Sequence, residues 1–208
     1  FPLSEFVSGF NVVRYITFRT AAATLTALFI SFLVGPWLIR KLGALRVDQP
    51  IREIGPDHQA KAGTPTMGGL LILLSLIVSV LLWSELDNRF VWILLALTSG
   101  YGVLGFIDDY RKVTQGNSAG ISVRGKLFWQ SLLAILVGVA IYSDPAFDQE
   151  LAVPFFKDFT PNLGWWYVPI AALIIVATSN AVNLTDGLDG LAIGPVMIAS
   201  ATFLLLAY

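Results

Sequence analysis

The sequence predicts an all-α fold, a polytopic transmembrane helical bundle with about six membrane spans. Apolar residues make up 56% of the 208 residues and charged residues only 13%, whereas a soluble domain usually carries about 25% charged residues. The mean hydropathy is +0.74. A helix needs roughly 20 apolar residues to cross the hydrocarbon core. Six uncharged runs approach or exceed that length: residues 20–39, 62–84, 90–107, 127–143, 159–185 and 190–208.

Composition also excludes several classes of protein. There is no cysteine, which rules out a disulfide scaffold and thiolate chemistry, and the single histidine, His58, rules out a multi-histidine metal site within the chain. A net charge of −1 gives no general attraction to nucleic acid. We expect residues 1–208 to form one transmembrane helical domain that is incomplete at its C-terminus, because Tyr208 lies inside an apolar run.

The distribution of basic residues predicts the topology. Nine of the thirteen Lys and Arg residues fall in the connections between spans one and two and between spans three and four. The positive-inside rule places these connections in the cytoplasm and the N-terminus outside, in the periplasm of a bacterial cell. The nine residues are Arg40, Lys41, Arg46, Arg52, Lys61, Arg111, Lys112, Arg124 and Lys126.

Small and aromatic residues suggest how the spans pack. Gly100, Gly102 and Gly105 in span three, with Gly190 and Gly194 opening span six, favour close approach of helix backbones. The external segment 143–165 contains Trp165 and predicts a short hairpin or an interfacial aromatic belt.

Polar residues in a membrane protein indicate where chemistry occurs. Asp108 and Asp109 lie where span three is expected to exit the membrane. Neighbours on a helix point about 100° apart, so the two carboxylates should have different partners. Acid at a helix C-terminus opposes the helix dipole, and this unfavourable placement favours a functional interpretation over a solvated helix end.

A second cluster follows span five. Asn180, Asn183 and Asp186 recur every three residues, and Gly187 and Gly190 permit a tight turn near a ligand. Carboxylate and amide oxygens suit magnesium or manganese rather than zinc.

A third cluster, Lys61 with Thr66, precedes span two. Its lysine, like Lys112 and Lys126, suits a phosphate group. Acidic metal ligands, lysines and a glycine turn on one expected membrane face indicate metal-assisted phosphoryl transfer.

The motifs at residues 63–69, 105–112 and 180–192 together resemble the phospho-N-acetylmuramoyl-pentapeptide transferase family, polyprenyl-phosphate sugar-phosphate transferases of the bacterial inner membrane. The resemblance extends over essentially the whole chain. It implies a magnesium-dependent reaction in which undecaprenyl phosphate attacks UDP-N-acetylmuramoyl-pentapeptide, releasing UMP and forming the first lipid intermediate of peptidoglycan synthesis. It further implies a homodimer with its active site on the cytoplasmic face, and further helices that carry another metal-binding aspartate.

The resemblance also assigns residues. The implied catalytic residues are Asp108, Asp109, Asn183 and Asp186, the last also a metal ligand. The implied substrate-binding residues are Lys61, Thr66, Lys112, Lys126, Asn180, Gly187, Leu188 and Asp189, with Lys61 and residues 187–189 near the uridine.

Three other functions are compatible with parts of this pattern. A sibling enzyme would transfer a different N-acetylhexosamine phosphate to the same lipid, and only the region of Thr66 argues against it. A cation transporter subunit would use the aspartates as ion ligands, but it predicts carboxylates near the bilayer midplane. A purely structural membrane scaffold is the third, but that function does not explain the cluster of asparagines and aspartates.

Overall fold

The architecture of the chain is all-α, as predicted. A computed structural model describes residues 8–44, 68–115, 120–153, 155–156, 158–185 and 191–207. The six α-helices in this part of the chain are α1 (Ile16–Ala44), α2 (Gly69–Trp83), α3 (Arg89–Gln115), α4 (Val123–Tyr142), α5 (Tyr167–Thr185) and α6 (Ile193–Ala207). Short 3-10 helices at Ser8–Arg14 and Gly164–Trp166 precede α1 and α5.

The helices coincide with the six apolar runs of the sequence. Four are long and apolar enough to cross a membrane: α1, α3, α4, and α5 together with its leading 3-10 turn. The apolar helices α2 and α6 contain 15 residues each, which corresponds to about 22 Å at 1.5 Å per residue. The predicted class, a polytopic helical membrane protein, is confirmed.

The chain folds into two compact units, Phe1–Lys126 and Leu127–Tyr208. In the first unit, α1 and α2 are joined by side-chain hydrogen bonds. The hydroxyls of Ser31 and Ser75 lie 3.2 Å apart, and the Trp83 indole donates to Thr26 Oγ1 at 2.9 Å. Interhelical hydrogen bonds of this kind help to hold membrane helices together, because lipid supplies no hydrophobic driving force between them.

One of the predicted glycine contacts is present in this unit. A Cβ atom at Gly102 of α3 would lie 2.5 Å from Leu73 Cδ2 of α2, so only glycine fits there without a shift. A Cβ at Gly105 or at Gly194 would meet no atom within 4 Å of the described structure. The prediction of close packing is therefore confirmed for Gly102, and the described residues show no such contact at Gly105 or Gly194.

In the second unit, small residues bring α4 and α5 together. Gly138 of α4 faces Val168 of α5, where a Cβ would lie 3.4 Å from both Val168 Cγ1 and the Val168 carbonyl oxygen. Segment 143–165 doubles back on itself, and its described residues include an isolated antiparallel bridge between Glu150 and Asn162. The Trp165 ring lies 4.8 Å from the ring of Tyr142 and remains largely exposed.

Candidate active site

The aspartate pair lies inside α3, not at its end. The helix continues from Asp109 to Gln115, so the expectation that the pair lies at a helix C-terminus was wrong. Asp108 lies seven residues before the final residue, about 10 Å along the axis. Lys112 occupies the last turn, where a cation interacts favourably with the helix dipole.

Asp108 is buried and bound on both carboxylate oxygens. Only 7% of its surface is exposed. Its Oδ2 accepts the ammonium of Lys112 at 2.7 Å, one helical turn later, and lies 3.9 Å from the ammonium of Lys126. Its Oδ1 accepts a 2.7 Å hydrogen bond from the backbone amide of Ile121. A buried carboxylate requires such partners because its desolvation is otherwise strongly unfavourable.

The start of α4 places Lys126 beside this carboxylate. Ser122 caps the helix, because its hydroxyl accepts the amide hydrogen of Gly125 at 3.2 Å, the usual pairing of an N-cap serine with the third helical residue. The Lys126 amide then bonds to the Ser122 carbonyl at 2.9 Å. Lys126 therefore belongs to the first helical turn, and its side chain reaches back to Asp108 of α3.

Asp109 has a different environment, as the 100° spacing predicted. Its side chain is one-third exposed, and its Oδ1 lies 3.3 Å from the Lys112 ammonium. Within the described part of the chain, Lys112 is its one side-chain partner. Asp109 also lines a cavity of about 190 Å³ between α2 and α3. The other lining residues are apolar or glycine: Gly69, Leu70, Leu73, Gly102, Gly105 and Phe106.

The asparagines lie near the end of α5, in the second unit. Asn180 Nδ2 donates to Gln130 Oε1 of α4 at 2.9 Å and to the Val176 carbonyl at 2.8 Å. Asn183, one turn later, is exposed. Sequence reasoning missed Gln130, although an uncharged polar side chain inside the run 127–143 was a signal for an interhelical hydrogen bond.

Several predicted site residues lie outside the described residues: Lys61, Thr66, Asp186, Gly187, Leu188 and Asp189. Among the residues that the structure describes, no three His, Cys, Asp or Glu side chains are grouped to hold a metal ion. Asp109 is the member of the aspartate pair that retains an oxygen for a cation, because Asp108 is already bound through both of its oxygens.

Sequence reasoning also missed two backbone features. The Ile121 amide and the turn at Gly120, where φ is +54°, contact Asp108 directly. The pattern of side chains does not show which backbone amide will donate a hydrogen bond. A single glycine in a loop is only a weak sign of a functional turn.

Two models of known protein families match this chain. The family model for glycosyl transferase family 4 matches residues 91–208, which include the aspartate pair and the asparagines. The phospho-N-acetylmuramoyl-pentapeptide-transferase signature 1 matches residues 61–73.

Similarity to curated relatives extends over the whole of this chain. The chain is 52% identical to the phospho-N-acetylmuramoyl-pentapeptide-transferase of Pelobacter propionicus and 54% identical to those of Citrifermentans bemidjiense and Geobacter sp. strain M21. Each alignment covers the whole chain and 58% of the relative, so the chain spans a little over half the length of these proteins. The match over more than half of its residues shows that the chain belongs to glycosyl transferase family 4.

Proposed function

We propose that the protein transfers phospho-N-acetylmuramoyl-pentapeptide from its UDP carrier to undecaprenyl phosphate. An oxygen of the lipid phosphate forms a bond to the β-phosphorus of the nucleotide. The bond from that phosphorus to the UMP oxygen breaks, and UMP leaves with the electron pair. The names of the relatives and the signature at residues 61–73 support this reaction and the muramoyl donor.

The observation that carries the proposal is the grouping of two lysines and two aspartates at one end of α3. Lys126 lies 3.9 Å from Asp108, which is beyond hydrogen-bond distance, so its ammonium keeps donors for a ligand. Lys112 lies between the two carboxylates. Phosphoryl transfer requires little more of a protein than positioned charge of this kind.

Asp109 is the carboxylate that we assign to the ligand side of the site. Mg²⁺ is commonly held by one or two carboxylates together with substrate phosphates, and the partly exposed Asp109 fits that requirement. When bound, the ion would neutralise charge on the phosphates. Asp109 would hold it, and Asp108 would keep Lys112 and Lys126 in place.

The remaining residues have roles that rest on the family resemblance. We assign Asn183 to the catalytic pocket, Asp186 to the metal, and Asn180 to the substrate. Lys61 and residues 187–189 are assigned to the uridine, and Thr66 to the polar rim of the pocket. The hydrogen bond from Asn180 to Gln130 supports a defined orientation for that amide.

We place the enzyme in the bacterial inner membrane as a homodimer, with its active site on the cytoplasmic face. Nine of the thirteen basic residues lie in the two connections assigned to the cytoplasm, and these connections flank or contain the lysines of the site. The dimer is proposed from the family resemblance.

The cation transporter alternative is disfavoured by the geometry. An ion pathway requires carboxylates that can exchange partners, but Asp108 is bound by a lysine ammonium and a backbone amide at 2.7 Å each. The sibling transferase, with a different N-acetylhexosamine donor, uses the same aspartates and lysines and differs in the donor it accepts.

The test is UMP release by the full-length protein in detergent, with a polyprenyl phosphate acceptor and either UDP-N-acetylmuramoyl-pentapeptide or UDP-N-acetylglucosamine. Each donor is assayed with and without Mg²⁺. An Asp109→Asn variant is compared with Asp87→Asn. Asp87 is exposed and lies just before the N-terminus of α3, so it is a matched control.

We expect Mg²⁺-dependent release from the muramoyl donor that Asp109→Asn loses and Asp87→Asn keeps. Release from UDP-N-acetylglucosamine alone would identify the sibling enzyme. Absence of release from both donors would reject the transferase function.

A further inference from the structure

A bend at Gly120 and Ile121, just before α4, touches the aspartate site. Gly120 has a φ of +54°, in the left-handed region that side chains other than glycine rarely adopt. A Cβ built at Gly120 would overlap Asp108 Oδ1 and would lie 2.9 Å from Lys112 Cε. The backbone at this position therefore packs directly against the ion pair.

The next residue completes the contact. The Ile121 amide donates its hydrogen to Asp108 Oδ1 at 2.7 Å. The other oxygen, Oδ2, is left to face the ammonium groups of Lys112 and Lys126. The turn thus fixes the orientation of the carboxylate, with one oxygen bound to the backbone and the other facing the lysines.

We propose that the Gly120–Ile121 turn is a positioning element of the active site, which orients Asp108 so that its second oxygen, Oδ2, holds the phosphate-binding lysines. The effect of this turn on catalysis rests on the proposed function. Gly120 and Ile121 act through Asp108 and need not touch a substrate. Asp108 in turn acts through Lys112 and Lys126, whereas Asp109 faces the ligand.

Glycine is required at position 120 for two separable reasons. The positive φ disfavours any side chain there, and the space that a Cβ would occupy is filled by the Asp108 carboxylate. Gly164 provides a matched control, because its φ is +47° and a Cβ there would meet only Asn162 Oδ1, at 3.9 Å. Alanine at either position strains the backbone, but only alanine at 120 displaces Asp108.

The experiment compares Gly120→Ala and Gly164→Ala in the full-length protein. Because a displacement of about 1 Å at a catalytic group can reduce the rate about 100-fold, we expect Gly120→Ala to lower kcat/KM for UMP release by about 10- to 100-fold. Gly164→Ala should remain within about twofold of wild type. Gly120→Ala should also have a lower melting temperature than Gly164→Ala, because it disturbs the bonds of Asp108 in addition to straining the backbone.

A second measurement does not depend on activity. Hydrogen exchange at the Ile121 amide, read by mass spectrometry, should accelerate in Gly120→Ala and in Asp108→Ala because the amide loses its acceptor. It should be unchanged in Asp109→Ala, the neighbouring carboxylate that accepts no bond from this amide.

The outcomes separate this inference from the proposed function. Equal kcat/KM in the two glycine variants, or equal exchange in the two aspartate variants, would overturn the positioning role. If wild-type protein releases no UMP, the proposed function fails, and the exchange comparison still decides whether the turn orients Asp108.

Discussion

The Ile121 amide donates a 2.7 Å hydrogen bond to Asp108 Oδ1 across thirteen positions of the chain. This bond joins the C-terminal half of α3 to the turn before α4 and leaves the second carboxylate oxygen for Lys112. The adjacent Asp109 has no equivalent backbone donor in the described part of the chain. Two neighbouring aspartates of identical chemistry are therefore separated into one that is buried and bound through both oxygens and one that is partly exposed and lines a cavity.

The first prediction compares these two carboxylates. Asp108→Asn removes the charge that binds Lys112 and receives the Ile121 amide, and hydrogen bonds to charged groups contribute about 1.5–3 kcal/mol each. We expect Asp108→Asn to lower the stability by about 2 kcal/mol, seen as a lower melting temperature in detergent. Asp109→Asn should abolish UMP release with a much smaller change in melting temperature. Equal losses of stability would contradict the division of roles.

The second prediction concerns the two lysines. Lys112 contacts Asp108 at 2.7 Å and Asp109 at 3.3 Å, whereas Lys126 lies 3.9 Å from Asp108. We expect Lys126→Met to raise the KM for the phosphate substrates while changing stability by less than about 1 kcal/mol. Lys112→Met should reduce both activity and melting temperature. Arg124 is exposed and lies on α4 with Lys126, so Arg124→Met is the control. It should change neither the activity nor the melting temperature. A larger loss of stability in Lys126→Met than in Lys112→Met would contradict this ranking.

The third prediction concerns the pair Gln130 and Asn180. Their 2.9 Å hydrogen bond joins two apolar helices, and such bonds in membrane proteins average about 0.6 kcal/mol with a maximum near 1.7. A double-mutant cycle with Gln130→Leu and Asn180→Leu should therefore give a coupling of about 1 kcal/mol in thermal or denaturant unfolding. Additive effects of the two single changes would show that the bond contributes nothing measurable.

The fourth prediction concerns the packing of α2 on α3. Alanine at Gly102 would place its Cβ 2.5 Å from Leu73 Cδ2, while alanine at Gly105 would meet nothing within 4 Å. We expect Gly102→Ala to lower stability by about 1–3 kcal/mol through overpacking and Gly105→Ala to have little effect. The loss in Gly102→Ala should shrink in a Leu73→Ala background. If it persists there, Leu73 is not the cause.

The membrane spans and the candidate residues could be predicted from the sequence because they depend on local properties. A run such as 90–107 is apolar whatever surrounds it. In lipid its backbone N–H and C=O groups must bond to one another, and a helix achieves this within the segment itself. The different directions of Asp108 and Asp109 also follow from helix geometry alone. These features need no knowledge of which helices are neighbours.

Other features were misjudged because charge and glycine patterns do not mark helix ends or contacts uniquely. The aspartate pair was expected at a helix C-terminus, yet α3 continues to Gln115, and Lys112 in its last turn binds both carboxylates. Gly102 and Gly105 look alike in the sequence, but only Gly102 faces a side chain of α2.

By itself, the sequence determined the class of the protein, the approximate positions of its spans and the family to which it belongs. Only the tertiary structure decided that Asp108 is bound through both oxygens and that Asp109 lines the cavity. The physical reason is that hydropathy and helix periodicity act over neighbouring residues. The partners of a buried carboxylate are set by where a distant turn brings a backbone amide and a second lysine.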